Sequence, residues 1–124
     1  MKLEVEKLLL RSGKTIEAAQ DLLRTNHIPD AASRAYYAMF YAAQDLLKFH
    51  GFETRKHSGV ESILGSEFVN KGLIEVEYHR KFTNGRGLRD LADYGIEDEI
   101  LEPVVIESIE NAKQFLKRVL VLVQ

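Results

Sequence analysis

Apolar residues recur every three or four positions along nearly the whole of this 124-residue sequence, and no stretch alternates apolar and polar residues as a half-buried strand would. The first stripe comprises Val5, Leu9, Ser12, Ile16, Ala19 and Leu23. The last stripe comprises Val105, Ile109, Ala112, Leu116, Val119 and Val123. Steps of four and three keep one side of a helix facing a partner. The pattern therefore predicts long, packed helices and an all-α fold.

Turn and stop residues mark the ends of the first two helices. The first helix is expected to end near Asn26 and Pro29. The second is expected to run from about Asp30 to His50, with Gly51 as its C-terminal stop.

The third and fifth helices are placed by predicted N-terminal caps. Ser58 and Glu61 form an S-x-x-E capping box, which predicts a short third helix that ends near Gly72. Pro103 suits the first turn of a fifth helix that follows an Asp98 cap.

The fourth helix is ambiguous, because residues 84–87, NGRG, have the composition of a turn. The apolar positions around them nevertheless stay in one helical phase: Ile74, Tyr78, Phe82, Gly85, Leu88 and Ala92. We therefore predict one helix from about 74 to 94 that stops at Gly95. The chain is expected to form one domain, residues 1–124, as an up-and-down bundle of four or five helices.

Composition and charge narrow the classes of function. The absence of cysteine excludes a disulfide scaffold and thiolate metal ligands, and no apolar run approaches 18 residues, so we expect a cytoplasmic protein without a membrane span or export signal. A net charge of −2 argues against coating of nucleic acid by bulk electrostatics. Residues 48–89, however, hold eight basic and five acidic side chains, whereas residues 90–124 hold three and eight. An anionic ligand is therefore expected to bind at residues 48–89, the middle third of the chain.

The second helix has three distinct faces. Its core stripe is Ala32, Tyr36, Met39, Ala43 and Leu46. A stripe of small residues beside it would let another helix approach closely: Ala31, Ala35, Ala38 and Ala42. The third face combines charges with phenols: Arg34, Tyr37, Tyr41, Asp45 and Lys48. Its tyrosines suit either an amphipathic interface or a ligand site.

No local signature of a nucleophilic enzyme, a phosphate loop or a metal site is present, and no cofactor is implied. The nearest approach to a metal site is His79, with Glu75 four residues before it. His57 lies just before a predicted helix start, where it could be a loop histidine or a group that contacts phosphate and transfers protons.

A basic cluster on the fourth helix is the main candidate for ligand binding. Arg89, with Arg86 and Lys81, could hold a phosphate, since arginine presents a rigid fork that matches phosphate oxygens. Tyr94 could add a hydroxyl or a stacking ring. Alternatively, Arg89 merely pairs with Asp90 and with Asp93, four residues along, on a solvated helix surface. The spacing leaves both interpretations open.

Three motifs follow one another along the chain: AASRAYYAMFYAAQDLL, RKHSGV with the downstream FVNKGLI, and LRDLADYG. Together they resemble the HEPN domain, in particular the small prokaryotic UPF0332 family, over roughly residues 5–122. The resemblance implies a helical bundle that usually dimerises. It also implies a small nucleotidyltransferase partner in a toxin–antitoxin-like module, and many members are metal-independent ribonucleases.

The sequence departs from the catalytic signature of those ribonucleases, which is Arg, four to six residues, then His. Arg89 and the polar Asp90 match its start, but Tyr94, Gly95 and Ile96 occupy the places where the histidine would fall. Tyrosine, with an ordinary pKa of about 10, is a poor base at neutral pH. His57 could supply the imidazole if folding brings it to Arg89.

Three hypotheses follow. The first is a homodimeric module that binds a nucleotide or RNA phosphate, through Arg89 with Arg34, Tyr37, Tyr41, Arg86 and Asp93, and works with a nucleotidyltransferase. The second is a metal-independent endoribonuclease that uses Arg89 with His57 or Tyr94. The third is a bundle whose only role is oligomerisation through the alanine stripe.

Overall fold

The computed structural model describes residues 2–95 and 100–123, and these form five α-helices and no strand. The helices are α1 (Lys2–Arg24), α2 (Ile28–Phe49), α3 (His57–Ile63), α4 (Val76–Tyr94) and α5 (Glu102–Leu122). A π-helical segment, Leu64–Val69, continues α3. The all-α prediction is confirmed. Of the part of the chain that is described, no helix is long and apolar enough to cross a membrane.

Left-handed residues end the helices where the sequence predicted stops. Asn26 has φ 64° after α1, Gly51 has φ 88° after α2, and Gly72 has φ 73° after the π-helical segment. Glycine adopts this conformation without steric cost, and asparagine tolerates it better than most residues. These stops fix the short connections that bring α1, α2 and α3 together.

Of the two predicted helix caps, the Ser58 cap is wrong and the Asp98 cap is untested. The backbone of Lys56 is extended and α3 begins at His57, so Ser58 lies inside the first turn and no side chain caps the helix. Asp98 lies outside the described residues, and α5 instead begins after the extended Leu101. The side chain of Val5 and the whole of Ile96 also lie outside the described residues.

Helix α2 lies at the centre of the bundle and packs against α1, α4 and α5. Ser12 on α1 donates a hydrogen bond to the carbonyl oxygen of Ala38 at 2.7 Å, which shows how closely the two helices approach. The whole small-residue stripe is buried within the chain: Ala31, Ala35, Ala38 and Ala42. The hypothesis of oligomerisation through this alanine stripe is therefore wrong, because the stripe packs helices of one chain against each other and is not available to a second chain.

Helix α4 runs unbroken through residues 84–87, as the helical phase predicted. Gly85 is buried against α2, and a Cβ atom there would lie 2.5 Å from Cε of Met39 and 3.7 Å from Cδ1 of Tyr36. The missing side chain therefore permits close packing of α4 on α2. Gly87 is exposed, with no atom near its Cβ position.

The two glycines should respond oppositely to substitution. Gly87→Ala is expected to raise the free energy of unfolding by about 0.5 to 1 kcal/mol, because alanine favours the helix. Gly85→Val is expected to lower it by about 1 to 3 kcal/mol, because the end of the Met39 side chain must move within a packed core. Urea unfolding followed by circular dichroism measures both. Equal effects would show that Gly85 does not set the distance between α2 and α4.

Candidate functional site

Arg89 is a buried arginine where α4 meets α2. Its side chain packs against two tyrosines of α2, and Arg89 as a whole is only 7% exposed. The guanidinium carbon lies 5.3 Å from the centre of the Tyr36 ring and 5.6 Å from that of Tyr37. A cation at such distances is attracted to the π-face of the ring. The site is thus built by the α2–α4 packing that Gly85 permits.

The guanidinium is only partly satisfied by protein groups. Nη2 lies 3.1 Å from Oδ1 of Asp90, and Nη1 lies 3.7 Å from Oδ2 of Asp93. Nη1 also donates a long hydrogen bond of 3.5 Å to the hydroxyl of Tyr37. Nε is buried and has no hydrogen-bond partner. The predicted ion pairs exist, but on a guanidinium that is enclosed rather than solvated.

His57, at the start of α3, lies beside this arginine. Its Nδ1 is 2.6 Å from the hydroxyl oxygen of Tyr36, and its ring stacks on Phe40 with centres 4.2 Å apart. Burial, together with the positive charges of Arg89 and Arg86, lowers the pKa of His57 below 6.5. The imidazole is therefore neutral at pH 7 and able to accept a proton.

Tyr36 is the functional residue that sequence reasoning missed, because it falls in the apolar stripe of α2. The residue is fully buried, yet its hydroxyl reaches His57 while its ring contacts Arg89. Burial raises the pKa of this phenol, although Arg86 and Arg89 oppose the shift. The hydroxyl consequently stays protonated. A phenol in a core stripe needs a polar partner, and this need was the signal in the sequence.

Arg86 and Glu61 form the wall of the site between α4 and α3. Their closest atoms, Nη1 and Oε1, are 3.8 Å apart, and both side chains are about 30% exposed. Oε1 of Glu61 is buried without a hydrogen-bond partner. Glu61, predicted to complete a capping box, instead lies opposite an arginine of the site.

The remaining predicted residues lie at the rim. Arg34 lies over the ring of Tyr37 at 4.7 Å, and the Tyr41 ring is 6.1 Å from that of Tyr37. Tyr94 is 73% exposed with its ring 6.0 Å from the guanidinium carbon of Arg89, and Asp93 is also exposed.

Lys81 does not belong to the site, contrary to the prediction that it would hold phosphate with Arg89. Its Nζ donates to Oδ1 of Asn111, which places it on the side of α4 that faces α5. The hypothesis that one middle segment carries the ligand is therefore too simple, since side chains of that segment point to different sides of α4.

The candidate metal pair is engaged with other protein groups. Glu75 accepts two hydrogen bonds from Arg118, at 2.7 and 2.9 Å, and Nε2 of His79 lies 3.1 Å from the carbonyl oxygen of Glu61. Within residues 2–95 and 100–123, no three histidine, aspartate or glutamate side chains lie together in a way that could hold a metal ion.

The site thus combines two arginines, a neutral imidazole and the protonated phenol of Tyr36 within one cluster. Guanidinium groups pair with phosphate oxygens, and a neutral imidazole can take a proton from a hydroxyl. This arrangement suits a phosphate ester better than a carboxylate metal site or a nucleophilic triad. Its elements come from α2, α3 and α4, so the fold as a whole positions it.

Comparison with known proteins gives a consistent result. The HEPN domain family matches residues 5–122. A UPF0332 protein of Pyrococcus horikoshii is 39% identical over 98 residues, which are 79% of this chain and 69% of that protein. A protein of Methanocaldococcus jannaschii, named as a candidate toxin, is 34% identical over 123 residues, 94% of this chain and 92% of its own. A UPF0332 protein of Thermotoga maritima is 33% identical over 118 residues, 92% and 86% respectively. This helical bundle matches the family over nearly its whole length, and the chain therefore belongs to the HEPN domain family, within its UPF0332 group.

Proposed function

We propose that this chain is a cytoplasmic, homodimeric protein that binds RNA or nucleotide phosphate and works with a small nucleotidyltransferase in a toxin–antitoxin-like module. The observation that carries the proposal is Arg89, a buried guanidinium with an unpartnered Nε beside the neutral His57. A buried donor without a partner is costly. A phosphate oxygen would supply the missing acceptor.

The charges around Arg89 support an anion of phosphate size. Asp90 approaches Nη2 of Arg89, whereas Asp93 and the hydroxyl of Tyr37 approach Nη1. Arg86 and His57 complete the surroundings, since the charges of Arg86 and Arg89 both act on the imidazole. Two arginines and a phenol can together hold the oxygens of one phosphodiester.

The proposed module has its support in the relatives. Two proteins of Methanocaldococcus jannaschii, each 34% identical to this chain, are named as candidate toxins. Toxin–antitoxin modules encode two proteins that bind each other. Co-purification of this chain with a small nucleotidyltransferase from the same organism would support the pairing, and failure of the two to associate at micromolar concentration would contradict it. Sedimentation at the same concentration tests the homodimer, which a monomer would contradict.

His57 favours a second candidate function, metal-independent endoribonuclease activity. When Nδ1 carries the proton and donates to Tyr36, the lone pair on Nε2 is free to accept the proton of a ribose 2′-hydroxyl. Arg89 would hold the phosphate that this oxygen attacks. The bond between the 2′-oxygen and phosphorus would form as the bond between phosphorus and the 5′-oxygen breaks, giving a 2′,3′-cyclic phosphate. The 5′-oxygen would take a proton from water, and the hydroxide left behind would take the proton that His57 had accepted.

Cleavage of RNA is the experiment that separates the two functions. The ribonuclease candidate predicts cleavage by the chelator-treated protein that falls at least about 100-fold in His57→Ala, the lower range expected for a lost general base. His27→Gln, which changes an exposed histidine outside the site, serves as the control. If RNA binds at Arg89 but stays intact, the ribonuclease candidate is excluded and the binding function remains. Absence of both binding and cleavage would overturn the proposal.

A further inference from the structure

A basic groove between α1 and α2 shares only Arg34 with the site described above. Its volume is about 340 Å³, and the side chains that the structure describes in its lining include four cations, Lys7, Arg11, Lys14 and Arg34, and no carboxylate. Three of them lie at steps of four and three on α1, which places them on one side of the helix over about 10 Å. None of the ion pairs found among the described residues involves any of the four.

Two tyrosines connect this groove to Arg89. Arg11 donates a hydrogen bond of 3.0 Å to the hydroxyl of Tyr41, and its guanidinium carbon lies 3.9 Å from the centre of the same ring. The next ring, Tyr37, is 6.1 Å away, carries Arg34 on its face at 4.7 Å, and accepts a hydrogen bond from Arg89. Cations and aromatic rings therefore follow one another without interruption from α1 to the buried site.

We propose that the groove of Lys7, Arg11, Lys14 and Arg34 binds the backbone of a single-stranded RNA whose scissile or terminal phosphate lies at Arg89. This inference rests on the proposed function and makes its ligand an oligonucleotide rather than a mononucleotide. Arginines held over tyrosine rings offer π-surfaces to unpaired bases, and the lysines neutralise phosphates. A duplex keeps its bases paired and would leave these surfaces unused.

The length of the RNA provides the test. Affinities of 2′-O-methyl RNAs of three and ten nucleotides, which cannot be cleaved by 2′-hydroxyl attack, are measured by calorimetry at several salt concentrations. The wild-type chain is expected to bind the ten-nucleotide RNA at least about tenfold more tightly than the three-nucleotide RNA at physiological salt, because phosphate contacts add counterion release.

The triple variant Lys7→Gln, Arg11→Gln, Lys14→Gln should lose this gain and still bind the trinucleotide. The slope of log affinity against log salt should fall by about 2, at about 0.7 per lost phosphate contact. The control changes three exposed cations that do not line the groove: Lys71→Gln, Arg80→Gln and Lys117→Gln. If the triple variant does not fold, the double variant Lys7→Gln, Lys14→Gln keeps the Arg11–Tyr41 contact and should show about two thirds of the slope change expected for the triple variant.

The outcomes separate this inference from the function on which it rests. Failure of both RNAs to bind would overturn the proposed function itself. Trinucleotide binding without a gain for the longer RNA, or an equal gain in the triple variant, would overturn only the groove. Tight binding of a polyglutamate peptide that the triple variant loses, with no gain for RNA length, would assign the groove to an acidic protein segment and would also overturn it.

Discussion

Replacing Asp45 by asparagine is expected to raise the free energy of unfolding above pH 7 by about 4 kcal/mol, one of the largest effects that a single substitution can have in this chain. Asp45 lies in α2, is fully buried, and neither of its carboxyl oxygens has a hydrogen-bond partner. Burial raises the pKa of this carboxyl from 3.8 to about 7, although the charge of Lys48 opposes the shift.

The direction of the pH dependence follows from proton binding. Because the pKa of Asp45 is higher in the folded chain, the folded state holds a proton that the unfolded state releases above pH 4. The contribution of Asp45 to stability is therefore greatest below pH 4, falls between pH 4 and 7, and stays low above pH 7. Asparagine has the same shape and cannot ionise, so it avoids this loss.

Urea unfolding of the wild-type chain and of Asp45→Asn at pH 5 and pH 8 measures the effect. The difference between their free energies of unfolding at each pH cancels the titration of His57 and of other groups that the two proteins share. We expect the advantage of Asp45→Asn to be larger at pH 8 than at pH 5. Glu17→Gln, an exposed change on α1, should alter stability by less than about 0.5 kcal/mol at either pH. An advantage that does not depend on pH would show that Asp45 is ionised in the folded chain throughout.

Replacing Arg89 by alanine is expected to weaken binding of a 2′-O-methyl trinucleotide by about 10- to 100-fold, the range for a charged hydrogen-bonding group. Arg89→Lys should restore only part of the affinity, because an ammonium group lacks the planar fork. Calorimetry measures the affinity, and thermal melting checks that each variant folds.

Arg80→Ala is the matched control, because Arg80 lies on α4 but is exposed. Its affinity should equal that of the wild-type chain within a factor of about two, as expected for a cation remote from the bound phosphate under salt screening. Wild-type affinity in Arg89→Ala would place the phosphate elsewhere and leave Arg89 as a structural arginine held by Asp90 and Tyr37.

The helices were predictable because each depends on a local pattern. The phase of the apolar residues across 84–87 identified α4 despite its glycines, and Gly51 and Gly72 marked real stops. The capping box failed for the same reason, since S-x-x-E is only a local pattern. Packing against α4 directs Glu61 toward Arg86, and α3 begins one residue before Ser58.

The site was only partly predictable because its parts come from three helices. Spacing placed Tyr37 and Arg89 on suitable faces, but the convergence of His57 with Arg89 depends on how α3 and α4 pack against α2. The groove on α1 was invisible to a count of charges along the chain. The first 47 residues have six basic and six acidic side chains. Helical spacing alone places Lys7, Arg11 and Lys14 on one side of α1, but only the fold adds Arg34 from α2 to the same surface.

The pKa of His57, followed by NMR of its imidazole with and without a 2′-O-methyl trinucleotide, tests most directly whether this site binds phosphate. In the free protein the pKa should lie below 6.5, because the imidazole is buried beside Arg89 and Arg86. Bound phosphate should raise it, since a neighbouring negative charge favours the protonated ring. In Arg89→Ala the free pKa should be higher and the trinucleotide should leave it unchanged. A His57 pKa that is the same with and without saturating trinucleotide in the wild-type chain would contradict the account.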